Sequence, residues 1–160
     1  MLLQFDATSV YNLVNWDILI KKCEALGFTA KTRQWFRSYL ENRIAKVEIN
    51  GQKSNEIKTE SGTPEGGRLS SMLYSIATLD LPYWTSDKLK LVIYADDIFA
   101  YYSSPSLEEA IEFMEKEAVK ILNFNHANKF AVNPSKTNCI IFPQIIAKEK
   151  KLQLKLATRT

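Results

Sequence analysis

The sequence predicts an α+β fold, an antiparallel sheet backed by helices, on three observations. Apolar residues recur at helical spacing in four segments. Short β-rich runs come in pairs around tight turns. Helices and hairpins are segregated along the chain, without the alternation that would signal a parallel sheet. A length of 160 residues suits one domain, and 46% hydrophobic with 24% charged residues suits a chain able to bury a core.

Each element follows from its pattern. Leu2-Leu-Gln-Phe-Asp6 reads as a short buried strand ending in a carboxylate. Trp16, Leu19, Ile20, Cys23 and Leu26 share a helical face, and Gly27 makes a C-terminal stop. A second helix covers Lys31 to Glu41, with Trp35, Phe36, Tyr39 and Leu40 on its apolar side. Those aromatics read as core in preference to a base-stacking platform. Ala45, Val47 and Ile49 alternate with polar residues before Asn50-Gly51, a strong hairpin-turn signal. Ser61 to Gly67 is a loop on composition, and it feeds a helix with Leu69, Met72, Leu73 and Ile76 inward.

Leu89 to Tyr94 and Ile98 to Tyr102 form a hairpin whose turn, Ala95-Asp96-Asp97, carries two adjacent acids. Ser106-Leu-Glu-Glu109 is a capping box. It opens a helix with Leu107, Ala110, Ile111, Met114, Ala118, Ile121 and Leu122 on one face. His126, the one histidine, reads as a surface or capping residue near that helix's end. Phe130 to Val132 and Thr137 to Phe142 read as a third hairpin around Asn133-Pro-Ser-Lys136. After Pro143 the pattern fades.

Composition excludes several classes. Cys23 and Cys139 are too few and too far apart for a disulfide framework or a zinc site, which points to a reducing compartment. No run of about 18 apolar residues occurs, so no membrane partner is expected. Asp6 stands too early for the apolar core of a signal peptide. A soluble, intracellular chain is expected, nuclear and cytoplasmic locations both being open. The net charge of +3 comes from the end of the chain: residues 148–160 hold five basic residues and one acid, a basic tail. Lys21 to Lys58 is locally basic as well, nine Lys and Arg against four Glu.

Tyr94-Ala-Asp-Asp97 is where chemistry could sit. Neighbouring carboxylates in an apolar hairpin repel each other and cost desolvation. A hard divalent cation would neutralise them, and Mg²⁺ is typically held by one or two carboxylates plus substrate phosphates. A sheet could bring Asp6 beside them. Asp96 and Asp97 read equally well as ordinary turn residues.

In chain order, further segments resemble the motifs of one family. These are Phe5-Asp-Ala-Thr-Ser-Val-Tyr-Asn-Leu-Val-Asn-Trp-Asp-Ile-Leu19, Tyr39-Leu-Glu-Asn-Arg43 with Asn50-Gly51, Ser61-Gly-Thr-Pro-Glu-Gly-Gly-Arg-Leu-Ser70, Tyr94-Ala-Asp-Asp97 and Val132-Asn-Pro-Ser-Lys-Thr137. Together they resemble the palm of a reverse transcriptase, most closely those of non-LTR retrotransposons, over roughly residues 2–142. The resemblance implies a polymerase palm over residues 1–147, a partial domain lacking most of the fingers and the thumb. It implies RNA-directed DNA synthesis by two-metal nucleotidyl transfer, with RNA template, DNA primer and dNTP as partners. Asp6 and Asp96 would bridge two Mg²⁺ ions, or Mn²⁺, with Asp97 as the supporting carboxylate. Tyr11 falls at the family's sugar-gate position. Gly62, Glu65 and Gly66 fall in its nucleotide- and template-contacting loop, and Lys136 at a position near the leaving pyrophosphate. Arg43 and Arg68 are expected to contact nucleic-acid phosphates. Three positions depart from the pattern: Glu65 replaces a Gln, Asn12 a common Asp, and Ser71 a common Pro. A carboxylate at residue 65 would repel a triphosphate. The alternative expectation is therefore a catalytically inactive remnant or nucleic-acid-binding fragment.

Overall fold

A computed structural model of the chain describes residues 1–8, 10–64 and 66–142. The basic tail therefore lies outside the described residues. The chain divides into two compact units: Met1–Thr8, Asp80–Ala127 and Val132–Thr160 form one, and Ser9–Leu79 with Asn128–Ala131 form the other.

The first unit is a sheet with helices on one face. Strand β1 (Leu2–Thr8) is its centre. The hairpin β6 (Lys90–Tyr94) and β7 (Asp97–Tyr101) lies on one side, with β7 antiparallel to β1. On the other side β1 is paired by β8 (Ala131–Val132) and β9 (Asn138–Ile140). The last two strands do not form the expected hairpin with each other. Both dock on β1, with β9 antiparallel along Leu2–Gln4.

Strand periodicity then sorts the faces. Leu3 and Phe5 of β1 and Ile98 and Ala100 of β7 point to one side and are buried. They pack with Met114, Ala118, Ile121 and Phe124 of α5 (Leu107–Ala127), and with Leu81 and Leu89. Helix α5 ends at Ala127, next to His126 as expected, and Phe124 and Asn125 continue its buried stripe beyond Leu122. Its first residue, Leu107, is exposed, contrary to expectation. The capping box is half made. Ser106 Oγ accepts from the Glu109 amide at 3.2 Å, but Glu109 turns its carboxylate to Ser104 Oγ and the Tyr102 hydroxyl. Ser104 Oγ in turn accepts the Ser106 amide. A 3₁₀ turn, Leu81–Trp84, was not apparent in the sequence; its Trp84 packs edge-on against Phe124 at 5.7 Å.

The second unit is helical. α2 (Trp16–Ala25) is N-capped by Asn15 and α3 (Ala30–Leu40) by Thr29, each side-chain oxygen accepting an amide of the first turn. They pack through Leu19, Cys23, Phe36 and Leu40, with α4 (Ser70–Thr78) against α2. On α4 the buried residues include Leu73, Tyr74 and Ile76, while Met72, expected inward, is exposed. A short helix, α1 (Val10–Leu13), adds Val10 to this core. Four two-residue strands, β2 (Ile44–Ala45), β3 (Glu48–Ile49), β4 (Gln52–Lys53) and β5 (Ile57–Lys58), make a hairpin ladder. Its tip is Asn50-Gly51, both at positive φ as a type I′ turn requires. Every residue of this ladder is exposed, so the alternation there marks no buried face.

Phe124→Ala would remove a fully buried ring and its edge contact with Trp84. The expected cost is about 3–5 kcal/mol, read as a drop in the urea midpoint together with a changed Trp84 fluorescence spectrum.

Candidate active site

The β6–β7 hairpin closes on two residues. Tyr94 pairs with Asp97, so the turn is Ala95-Asp96 and not the three-residue Ala95-Asp96-Asp97 read from the sequence. Asp97 is the first residue of β7 because its backbone is claimed from both sides, by Tyr94 on β6 and by Asp6 on β1. Ala95 sits at φ 50°, a conformation glycine adopts freely and alanine does not. Asp96 is exposed in the turn.

Asp6 and Asp97 are register partners on adjacent strands. Directly opposed residues of an antiparallel pair have β-carbons about 4.5–5.5 Å apart, and like charges there are destabilising. Each carboxylate has one compensating neighbour. Gln4, two residues before Asp6 and on the same face, donates from Nε2 to Asp97 Oδ1 at 3.3 Å. Lys136 Nζ lies 3.1 Å from Asp6 Oδ2, with side-chain exposures of 64% and 28%.

Lys136 is delivered there by a compact turn. Asn133 donates its amide to the Asp6 carbonyl at 2.9 Å, which ties the segment to β1. Its Oδ1 accepts the Ser135 amide, and its own carbonyl accepts from the Lys136 amide and Thr137 Oγ1. Gln4 is not among the residues the sequence points to, and Asn133 enters there only as the Asn of its motif. The signal for Gln4 was present: a polar residue inside an apolar strand, at the two-residue spacing that puts it on the face of Asp6.

Among the described residues no group of three or more His, Cys, Asp or Glu side chains converges to hold a metal ion. What the sheet does bring together is the pair Asp6 and Asp97, with Asp96 next in sequence at the turn. A carboxylate pair suits a hard cation that completes its shell with phosphate oxygens and water.

The other sequence-predicted residues lie in the helical unit. Tyr11 is half-buried on α1, its ring 5.2 Å from that of Tyr74. Its carbonyl accepts the Thr63 amide at 2.7 Å. Gly62 is at φ 83° and buried, with its amide on the Val14 carbonyl. Its carbonyl accepts Trp16 Nε1 at 2.8 Å and Arg43 Nη1 at 3.5 Å. Arg43 is thus half-buried and engaged with this loop through its guanidinium. Gly66 is exposed at φ 71° in open space, and Arg68 is exposed. Ser70 Oγ bonds the Pro64 carbonyl, closing the loop onto the start of α4. Glu65 lies outside the described residues.

The sequence matches, over residues 1–155, the family described as reverse transcriptase (RNA-dependent DNA polymerase). The chain belongs to the reverse transcriptase family. It is 33% identical, over 82% of its length, to the probable RNA-directed DNA polymerase from transposon BS of Drosophila melanogaster. It is 30% identical, over 69% of its length, to the RNA-directed DNA polymerase from mobile element jockey of Drosophila funebris. These relatives are of the non-LTR retrotransposon type. The chain spans 15% and 13% of their respective lengths. In fold it is similar to telomerase from Candida tropicalis, with a TM-score of 0.60 at 14% identity, covering 86% of this chain and 25% of that one. A telomerase structure from Candida albicans gives 0.60 at 16%, covering 92% and 28%. The mixed helix and antiparallel sheet is thus a polymerase palm-like fold.

Two stability predictions follow from this geometry. Asp97→Asn removes one of two opposed charges and should raise stability by about 0.2–1 kcal/mol without divalent cation, read as a higher melting temperature. Gly62→Ala should be far more damaging than Gly66→Ala in the same melts. At Gly62 a β-carbon would fall 2.7 Å from Asn12 Cα, whereas at Gly66 it would meet nothing within 4 Å and cost only the left-handed backbone, about 1–2 kcal/mol.

Proposed function

We propose that this chain supplies the catalytic palm of an RNA-directed DNA polymerase, in which Asp6, Asp96 and Asp97 hold the divalent cations of nucleotidyl transfer. The observation that carries the reading is the Asp6–Asp97 register. Two acids 91 positions apart in sequence face each other, despite their repulsion, at the strand end where the hairpin turns. Such a pair is worth keeping when its electrostatic cost is offset by a bound cation.

When bound, Mg²⁺ or Mn²⁺ would lower the pKa of a primer 3′-hydroxyl and stabilise charge on the departing pyrophosphate. The carboxylates' task is to fix where that charge sits. Asp6 and Asp97 are held by strand pairing and Asp96 lies in the turn, so under this reading the sheet would supply two ligands and the hairpin the third. Gln4 keeps Asp97 oriented. Lys136 holds a positive charge against Asp6 and, mostly exposed, can swing from it toward a phosphate. By resemblance to the family, Gly62 and Gly66 would allow close backbone approach to nucleotide and template, and Tyr11 would serve as the sugar gate. Arg68, and Arg43 through its remaining donors, would meet phosphates. RNA template, DNA primer and dNTP are the partners this reading requires.

The second reading is an inactive or nucleic-acid-binding remnant, favoured by a carboxylate at residue 65 where a triphosphate would be repelled. Primer extension on an RNA template at low salt, with Mg²⁺ or Mn²⁺, separates the two. Under the polymerase reading Asp96→Asn lowers extension by at least about 100-fold, the scale on which loss of one charge-stabilising group is felt. Extension that survives Asp96→Asn defeats the metal assignment; no extension by the wild-type chain supports the remnant.

A further inference from the structure

The aromatic side of α3 is not core throughout. Phe36 and Leu40 are buried, but Trp35 is 52% exposed. One helical turn on, the Tyr39 ring lies nearly parallel to it, with centroids 5.8 Å apart and planes at 14°. Lys31, one turn earlier on the same row, is exposed. Tyr39 also reaches the glycine loop: a β-carbon on Gly67 would come within 2.9 Å of its hydroxyl. Two near-parallel aromatic rings, one of them half in solvent, therefore stand along α3 between a lysine and Gly67.

The charge around it is one-sided. The unit that carries it holds eleven Lys and Arg against seven Asp and Glu. The acids of α2 and α3 are largely spent: Glu24 is paired with Arg33, and Asp17 and Glu41 with Arg37. Among the described residues, Lys31, Arg43 and Arg68 enter no ion pair. A partly exposed aromatic pair in a unit of net positive charge, with the unpaired Lys31 one turn away, has the chemistry of a stacking platform for unpaired bases, whose π-faces stack whatever their sequence. An apolar protein partner would use the rings but leave the surplus positive charge unmatched.

We infer that Trp35 and Tyr39 form a platform on which a base of single-stranded RNA stacks beside the Ser61–Gly67 loop. This rests on the polymerase reading for the identity of the strand, the template, but its test does not require catalysis. Binding of a 12-nucleotide oligo(U) to the whole chain is measured by fluorescence in low salt, without divalent cation, primer or nucleotide. Trp35→Ala and Tyr39→Ala should each weaken binding about 5- to 150-fold, the equivalent of about 1–3 kcal/mol per stacked base, with the salt dependence unchanged. Trp35→Phe should retain most of the affinity while losing most of the fluorescence quenching. Lys31→Ala should instead lower the slope of log K against log salt by about one. Blunt RNA duplex, whose bases are already stacked, should bind Trp35→Ala and wild type alike.

Three results overturn the inference: wild-type chain that does not bind oligo(U), Trp35→Ala that binds it as well as wild type, or equal losses on single strand and duplex. If Trp35→Ala fails to fold, the Trp35→Phe and Tyr39→Ala data decide. Selective loss of oligo(U) binding in a chain that never extends a primer sinks the polymerase reading and leaves the platform. Extension with unaltered oligo(U) binding does the reverse.

Discussion

The opposition of Asp6 and Asp97 is the constraint around which the sheet unit is arranged. Two carboxylates on adjacent strands are held apart only by the spacing that backbone pairing dictates, and the low-energy escape would be a slip in register. That escape is closed. A one-residue slip of β1 against β7 would carry Leu3 and Phe5 off the core face and expose them, since side chains alternate with a period of two. Burial of Leu3, Phe5, Ile98 and Ala100 against α5 therefore enforces the juxtaposition of the acids. Burying one large apolar side chain is worth about 1.5–3 kcal/mol, against about 0.2–1 kcal/mol for a cross-strand pair. The core wins, and the charged pair is left for the open face to resolve.

Its resolution is local and incomplete. Gln4 and Lys136 each reach one carboxylate, and the lysine is mostly in solvent, where such a pair contributes about 0–1 kcal/mol. Ala95, beside Asp96, adds a backbone conformation that disfavours a side chain. Residues that break local rules while the surrounding structure over-determines them are the ones to examine for function. Here one of the two opposed acids and the strained turn fall within three consecutive residues, 95–97.

Much of this was legible in the sequence, for physical reasons that can be named. Long helices declared themselves, because α2 and α5 bury stripes whose spacing is set by the helix itself. Asn50-Gly51 specified its own turn. What the sequence concealed was pairing. Nothing in Thr137–Phe142 says that β9 prefers Leu2–Gln4 to the strand just before it; that choice depends on which edge of β1 is open. The extent of the acidic turn was hidden for the same reason, since Asp97 becomes a strand residue only because β1 pairs with it. Met72 and Trp35 were misjudged because an apolar residue at the right spacing reads as core whether or not anything packs on it. Of the site residues, the three acids were legible from their own chemistry, with resemblance alone separating a cation site from an ordinary turn, while Tyr11, the glycines, Lys136 and the arginines rested on resemblance. Gln4 rested on strand period alone and was missed.

Trp35 and Gly62 show how function and stability diverge in the helical unit. Gly62 is locked on every side: its amide donates to the Val14 carbonyl, its carbonyl accepts from the Trp16 indole, and the Asn12 backbone fills the space a side chain would need. Substitution there is expected to unfold before it informs. Trp35 has the opposite character. Half its surface is already in water, so truncation forfeits only part of the cost of an indole lost from a core, about 3–5 kcal/mol when fully buried. A large loss in RNA affinity in a Trp35 variant whose melting temperature is little changed is a loss of binding and not of the fold. That asymmetry is why the exposed ring, and not the loop beside it, is the place where binding can be read separately from stability.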